Sequence, residues 1–183
     1  MSGKLVHNRK FGWRSTAGGV VGGSKALLAD GQLFTSGPHH FMAMDEKTGS
    51  VGHAWIPGRQ MVVAGERAYI ATGTGRIIAV ERKKNAQAST KRQKLFLKQG
   101  GLRGKPKELA ELRKQMADLA NAGVICSTDS RCEAALVLAG DVIYAGGDGE
   151  VIALEEATGK LLWSAKVQGK ARGLAVAGNS LVV

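Results

Sequence analysis

The sequence is poor in the residues that stabilise several classes of small protein. It contains two cysteines and three prolines among 183 residues, and aromatic side chains make up 5% of it. Two cysteines exclude a disulfide-dense scaffold and a four-cysteine zinc site within one chain. No apolar run approaches the ~20 residues of a membrane-spanning helix. The first residues, 1–16, lack the apolar core of a secretory signal.

Acidic residues are missing from one long stretch, and this absence concentrates the positive charge of the chain. The net charge is +11, from 26 Lys and Arg against 15 Asp and Glu. Ten of the basic residues lie between Arg82 and Lys107, where no acidic residue occurs. The rest of the chain, with 16 basic and 15 acidic residues, is nearly neutral. Binding to an anionic partner therefore depends on this segment alone.

Glycine, in contrast, is abundant at 26 residues, and it occurs within an internal repeat. Short apolar runs around Ala29, Ala64, Ala139 and Ala177 each lead into a Gly-, Asp- or Asn-containing turn and a second apolar run. Such turns need a positive φ, which Gly, Asn and Asp tolerate, so each unit predicts a β-hairpin. A third apolar run follows the first three hairpins, and a fourth strand ending in Trp follows twice.

This repeat predicts an all-β fold, part of a β-propeller with four-stranded blades, because units of about 35–40 residues with three or four strands are typical of blades. One interval is roughly twice as long as the others, so we place an insertion at about residues 82–122, between the third and fourth strands of a blade. Pro106 and the apolar spacing through Leu119 predict a helix in its second half. We expect the apolar stripe of that helix to pack on the blade surface.

The basic first half of the insertion predicts a solvated, partly disordered arm. The alternative is docking on an anionic surface, with salt-dependent binding. The residues that would make this contact are Lys83, Lys84, Lys91, Arg92 and Lys94. With Phe96 as the only aromatic residue in the segment, a stacking platform for single-stranded nucleic acid is not expected.

Two segments resemble the blade-docking motif of PQQ-like repeats, the family of quinoprotein alcohol dehydrogenase-like propellers. The motif is A-x-D-x-x-T-G-x-x-x-W, and residues 153–163 match it with Glu155 in place of Asp. Residues 43–55 form a looser copy, in which the Trp comes two residues late. The resemblance implies a structural role between blades for Ala43, Thr48, Gly49, Trp55, Ala153, Thr158, Gly159 and Trp163. The small Ala would let a neighbouring blade approach, and the Trp would bury a large face there.

On this basis the chain divides into the end of a preceding blade and a linker (1–23), a blade (24–60), a blade with the insertion (61–133), a third blade (134–170) and the start of a further blade (171–183). Three units are too few for a closed ring of the family type, and an open half-ring exposes sheet edges. We therefore expect a fragment of a longer protein. The alternatives are a ring completed by another chain and, less favoured, closure with four blades.

The function predicted from the resemblance is a non-catalytic scaffold that binds protein partners in the periplasm or cell envelope, with no cofactor and no metal. The alternative is a fragment of a quinone-dependent dehydrogenase, which would use pyrroloquinoline quinone and calcium. Such enzymes commonly hold the quinone beneath a disulfide of adjacent cysteines, whereas Cys126 and Cys132 are six residues apart. These two cysteines either form a disulfide in an exported protein or remain buried thiols.

Overall fold

The computed structural model describes residues 26–36, 40–49 and 51–183, and these ranges contain three four-stranded antiparallel sheets. Each sheet is a meander, since its strands pair in chain order. Blade 1 consists of β1 (Ala26–Ala29), β2 (Gln32–Ser36), β3 (His40–Asp45) and β4 (Val51–Pro57). Blade 2 consists of β5 (Gln60–Ala64), β6 (Arg67–Ala71), β7 (Arg76–Glu81) and β8 (Val124–Asp129). The segment 1–23, assigned from the sequence to a preceding blade and linker, lies outside the described residues.

Blade 3 follows directly. It consists of β9 (Ala135–Ala139), β10 (Val142–Gly146), β11 (Asp148–Glu155) and β12 (Leu161–Lys170). A two-stranded hairpin, β13 (Ala175–Ala177) and β14 (Ser180–Val182), comes last. The predicted hairpin turns are present, with Gly65, Gly140 and Gly178 at positive φ. The prediction of a partial propeller with four-stranded blades and an inserted helical segment is confirmed.

The hydrophobic core lies between the blades, because successive residues of a strand point to opposite faces of its sheet. Ala68 and Ile70 of β6 pack with Phe34 and Ala43 of blade 1. Tyr69 and Ala71 of the same strand pack instead with residues of blade 3, among them Ile143 and Leu154. Blade 2 is thus apolar on both faces, and each face is covered by a neighbouring blade.

The insertion forms a helical hairpin between β7 and β8. Its helices are α1 (Arg82–Lys98) and α2 (Pro106–Ala120), joined through a short 3-10 turn, Gln99–Leu102. The expectation of a partly disordered arm is wrong for residues 82–98, which are helical. α1 packs beside β4, the outer strand of blade 1. A helix at this position protects a strand edge from pairing with other chains.

α2 begins at Pro106, as the sequence predicts, and packs chiefly on α1. Leu112, at the centre of its apolar stripe, is buried, and Gln99 Nε2 lies 3.4 Å from Met116 Sδ between the two helices. We expected the apolar stripe of α2 to pack on the blade surface. Instead the stripe packs on α1, and α1 makes the contact with blade 1. Gly123 closes the hairpin at φ +79°, where its carbonyl accepts a hydrogen bond from the Glu81 amide at 2.7 Å.

Candidate functional site

A partly buried polar cluster connects blade 2 to blade 3. Glu156, in the turn after β11, accepts a hydrogen bond from Arg67 Nη1 at 2.6 Å and a second from the Tyr69 hydroxyl. Arg67 and Tyr69 both belong to β6 of the preceding blade. The Glu156 side chain is only 18% exposed, so loss of a partner would leave a poorly solvated group. The cluster therefore joins two blades through side chains distant in sequence.

The protonation states of this cluster suit a structural contact. Burial, followed by the hydrogen bond to Glu156, raises the pKa of Tyr69 to about 12. The hydrogen bonds from Tyr69 and Arg67 hold the pKa of Glu156 below its ordinary value. Tyr69 therefore stays a neutral donor and Glu156 an ionised acceptor at neutral pH. Neither group is suited to exchange a proton near pH 7.

Blades 1 and 2 are connected by a similar contact, and we call these two inter-blade contacts joints. The residue at the equivalent position of the repeat is here the cation Arg82 instead of the anion Glu156. Arg82 lies three residues after Ala79, as Glu156 lies three residues after Ala153. Its Nη1 binds Asp30 of blade 1 and donates to the Gly65 carbonyl at 2.7 Å. Its guanidinium carbon lies 5.8 Å from the centre of the Phe34 ring, within the range of a cation–π contact.

A cavity of about 530 Å³ lies beside this second joint, between blades 1 and 2 and the start of α1. Its apolar wall includes Phe34, Met61 and Ile70, and its charged rim includes Asp30 and Arg82. The volume falls in the range of small-molecule sites. Asp30 and Arg82 form an ion pair with each other, so their charges are already compensated before any ligand binds.

The motif turns show why Asp and Thr occur three positions apart in the repeat. Asp45 Oδ1 accepts hydrogen bonds from the Lys47 amide at 3.0 Å, the Thr48 amide at 2.7 Å and the Thr48 hydroxyl at 2.9 Å. The Thr48 bonds lower the pKa of Asp45. Gly49 then continues the turn at φ +64°. Asp45 thus caps the turn by satisfying amides that the strands leave unpaired.

The second copy of the motif has a weaker turn, because Glu155 replaces the Asp. The Thr158 hydroxyl binds Glu155 Oε2, and the Lys160 amide donates to Thr158 Oγ1 at 3.1 Å. Ala43 and Ala153, the small residues of the two copies, are completely buried. Ala43 packs in the core shared with blade 2, at a position suited to the role in blade docking that the sequence predicts for it.

Gly159 of the motif lies in close contact with blade 2. Its carbonyl accepts a hydrogen bond from Thr128 Oγ1 of β8 at 2.5 Å. A Cβ at Gly159 would lie 2.6 Å from Thr128 Oγ1 and 3.1 Å from Cys126 Sγ, and φ is +72°. Both the backbone conformation and the space therefore require glycine at this position.

The tryptophans of the motif remain predictions as docking residues. Trp163 lies on β12, is 41% exposed and packs against Tyr144 of its own blade with ring centres 5.9 Å apart. Trp55 belongs to β4, and its side chain lies outside the described part of the structure. The burial that the motif predicts for Trp163 would require a blade beyond β12.

The two cysteines are free thiols in this structure, which is the second of the two alternatives given by the sequence. Cys132 is buried in the core between blades 2 and 3. Cys126, on β8, packs against the same core. Burial raises the pKa of both thiols, so thiolate formation at neutral pH is disfavoured. Within residues 26–36, 40–49 and 51–183, no group of three or more His, Cys, Asp and Glu is arranged to hold a metal ion.

The five basic residues singled out from the sequence all lie on α1, but they do not share one face. Lys83, Lys84, Lys91 and Lys94 are exposed, whereas Arg92 is half-buried. Lys98, which is not among these five, is exposed on the same side of α1 as the four lysines. Neither α1 nor α2 has the length and hydropathy of a bilayer-spanning helix, and the described part of the chain contains no other α-helix.

The two inter-blade joints were missed from the sequence. Arg67 and Glu156 are 89 residues apart, and no local pattern relates them. The available signal was the alignment of the repeats themselves, which places Arg82 and Glu156 at one equivalent position after the third strand.

Comparison with known proteins finds a family similar to the C-terminal part of the chain. Residues 116–183 match a PQQ-like family model described as outer membrane protein assembly factor BamB. A search of curated proteins finds no match. Among solved structures, the computationally designed Ika8 protein is similar with a TM-score of 0.55 at 11% identity, over 85% of this chain and 40% of that one.

Two further solved structures are similar at lower scores. BamB from Moraxella catarrhalis has a TM-score of 0.46 at 15% identity, over 82% of this chain and 41% of that chain. A quinohemoprotein alcohol dehydrogenase from Pseudomonas putida HK5 has a TM-score of 0.48 at 16% identity, over 77% of this chain and 20% of that chain. The chain thus spans less than half the length of each of these three proteins. Its sheets make the described part of the chain a partial β-propeller of four-stranded blades, and residues 116–183 are similar to a PQQ-like family.

Proposed function

We propose that the chain is a non-catalytic propeller module that acts as a protein-interaction scaffold in the cell envelope. The observation that favours this function is the outer strand β12. Three consecutive large apolar residues on it, Leu161, Leu162 and Trp163, are 52%, 48% and 41% exposed. A contiguous exposed apolar segment of this kind is typical of a surface that binds another protein.

β12 is also the edge strand of blade 3 within the described residues. It is ten residues long, and an edge strand presents unpaired backbone N–H and C=O groups to solvent. Addition of a partner strand would satisfy these groups, with the exposed side chains giving specificity. The protein partner therefore needs an extended segment with apolar side chains.

The envelope location rests on the family description, which names an outer membrane protein assembly factor. The alternative, a fragment of a quinone-dependent dehydrogenase, implies a disulfide of adjacent cysteines over the quinone. Cys126 and Cys132 do not fit that arrangement, since both are free thiols on separate segments. We therefore propose no quinone or calcium as a cofactor, and the polar groups of the joints serve assembly of the blades.

Site-specific photo-crosslinking in cells that express the full-length protein tests the scaffold function. A crosslinking amino acid at Leu162 is expected to give an adduct with one other protein, identified by its mass. The matched control is Gln115, an exposed position on α2, from which that adduct should be absent. An adduct formed only within the chain would mean that β12 is a joint to a further blade, and would overturn its assignment as the partner surface.

A further inference from the structure

The exposed side of α1 carries a stripe of lysines. Five of them, Lys83, Lys84, Lys91, Lys94 and Lys98, are exposed. With 3.6 residues per turn, they fall within an arc of about 100° around the helix axis. The two buried residues of α1, Ala88 and Ser89, lie away from this arc. No acidic residue occurs in α1, so the stripe has a single sign of charge.

The charge of the stripe is least compensated at its distal end, away from the blades. Lys83 lies 3.3 Å from Glu66 and Lys84 lies 2.6 Å from Glu81, both at the start of the helix. Among the described residues, Lys91, Lys94 and Lys98 form no ion pair. The helix rise of 1.5 Å per residue spreads these three over about 10 Å, which matches the spacing of neighbouring anionic groups on a surface rather than one small ligand.

An exposed apolar side chain borders this distal end. Leu97 is 65% exposed, and it follows Lys94 by three residues and precedes Lys98 by one. Residues three apart are neighbours on a helix surface. The tip of the hairpin beyond it adds the exposed cations Arg103, Lys105 and Lys107, of which Lys105 is paired with Glu108 at 3.2 Å. An exposed apolar side chain beside a lysine stripe suits the boundary between lipid headgroups and acyl chains.

We propose that the lysine stripe and Leu97 dock the helical hairpin on an anionic phospholipid surface. The lysines bind the headgroup phosphates, and Leu97 enters the interface between them. Nucleic acid accounts for the lysines but gives no role to an exposed leucine. The blades would then be held beside a membrane with the hairpin as the contact, independently of any protein bound at β12.

Sedimentation of the full chain with vesicles tests the proposal. We expect binding to vesicles of phosphatidylcholine mixed with phosphatidylglycerol in about 0.1 M salt, little binding to phosphatidylcholine alone, and loss of binding in about 1 M salt. The triple variant K91Q/K94Q/K98Q should bind the mixed vesicles about a hundredfold more weakly. The control K160Q/K166Q/K170Q removes the same charge from the exposed lysines of blade 3 and should bind as the unmodified chain does.

A second pair of variants separates a bilayer from other polyanions. Leu97→Gln should weaken vesicle binding several-fold while leaving binding to a DNA duplex unchanged, and Leu161→Gln, at a similarly exposed leucine of β12, should alter neither. Circular dichroism of each variant checks that the helices persist. Equal loss of binding in the two lysine variants, or no effect of Leu97→Gln, would overturn the proposal. Duplex binding as tight as vesicle binding would replace the bilayer with nucleic acid.

Discussion

Glu156 of blade 3 accepts a hydrogen bond from Arg67 of blade 2 at 2.6 Å, across 89 residues of sequence. Arg82 holds the equivalent position in blade 2 and binds Asp30 of blade 1. One position of the repeat therefore links blade 3 to blade 2 and blade 2 to blade 1, although its charge is reversed between the two joints. Arg67, Tyr69, Arg82 and Glu156 are engaged in contacts between blades.

The joint between blades 2 and 3 should make stability depend on pH. The pKa of Glu156 is lowered in the folded protein, so the stabilisation is complete above the ordinary pKa of a glutamate and is lost as pH falls through the lowered value. The pKa of Tyr69 is raised to about 12, so its contribution persists below the ordinary pKa of tyrosine and disappears as pH rises through about 12. Glu156→Gln should therefore lower the melting temperature at neutral pH.

The difference in melting temperature between the unmodified protein and Glu156→Gln should close in acid, once Glu156 is protonated in both the folded and unfolded states. Scanning calorimetry across pH measures it. Glu150→Gln is the matched control, because Glu150 is an exposed carboxylate on the same blade. A deficit for Glu156→Gln that is the same at acid and neutral pH would contradict an ionised glutamate in this joint.

Arg82 should contribute more to stability than the neighbouring lysine. Its side chain is 15% exposed and contacts Asp30, the Gly65 carbonyl and the Phe34 ring. Arg82→Met should cost about 1–2 kcal/mol of unfolding free energy, because it removes charge-assisted hydrogen bonds from a poorly solvated site. Lys83→Met, at a side chain 79% exposed, should stay within about 0.5 kcal/mol. Urea unfolding compares the two, and equal effects would argue against the joint.

Gly159→Ala should destabilise the protein by more than its backbone strain alone. A Cβ there meets Thr128 Oγ1 at 2.6 Å in addition to the positive φ. Gly178 has φ +56° but no atom within 4 Å of the added Cβ, so Gly178→Ala reports the strain by itself, about 1 kcal/mol. We expect Gly159→Ala to cost a further ~1–3 kcal/mol from overpacking. Similar losses in the two variants would mean that the blade contact at Gly159 is loose.

Glu155→Asp should stabilise blade 3. The shorter side chain can accept backbone amides of its turn, as Asp45 does in blade 1. A gain of about 0.5–1.5 kcal/mol is expected for one added hydrogen bond. The reciprocal change, Asp45→Glu, should lower the melting temperature. Thermal unfolding of both variants tests the pair, and a loss of stability in Glu155→Asp would show that the longer side chain is the better cap there.

The fold class followed from local sequence, because hairpin turns, apolar alternation and the repeat interval are all encoded within a few residues. α2 was predictable for the same reason, with Pro106 at its start and Leu112 in its apolar stripe. α1 was not, because Arg82–Lys98 has no acidic residue in its first turn and little apolar periodicity. Its helix is stabilised by packing beside β4 and α2, which is tertiary information.

The joints between blades lay beyond local sequence reasoning, since a pair such as Tyr69 and Glu156 meets only once two sheets have packed. The sequence also could not show which basic side chains of α1 face solvent. That Arg92 is half-buried and Lys98 exposed depends on how α1 is rotated against blade 1. Ala43 and Gly159 were visible in the sequence because they belong to a motif that occurs twice, and their role in blade docking stays a prediction.

The central claim, a scaffold rather than a quinone-dependent enzyme, is tested most directly by the melting temperature of the full-length protein with and without pyrroloquinoline quinone and calcium. A ligand present at a hundred times its dissociation constant stabilises a folded protein by about 2.7 kcal/mol, which corresponds to several degrees. The account predicts an unchanged melting temperature. A rise of several degrees that requires both the quinone and calcium would contradict it.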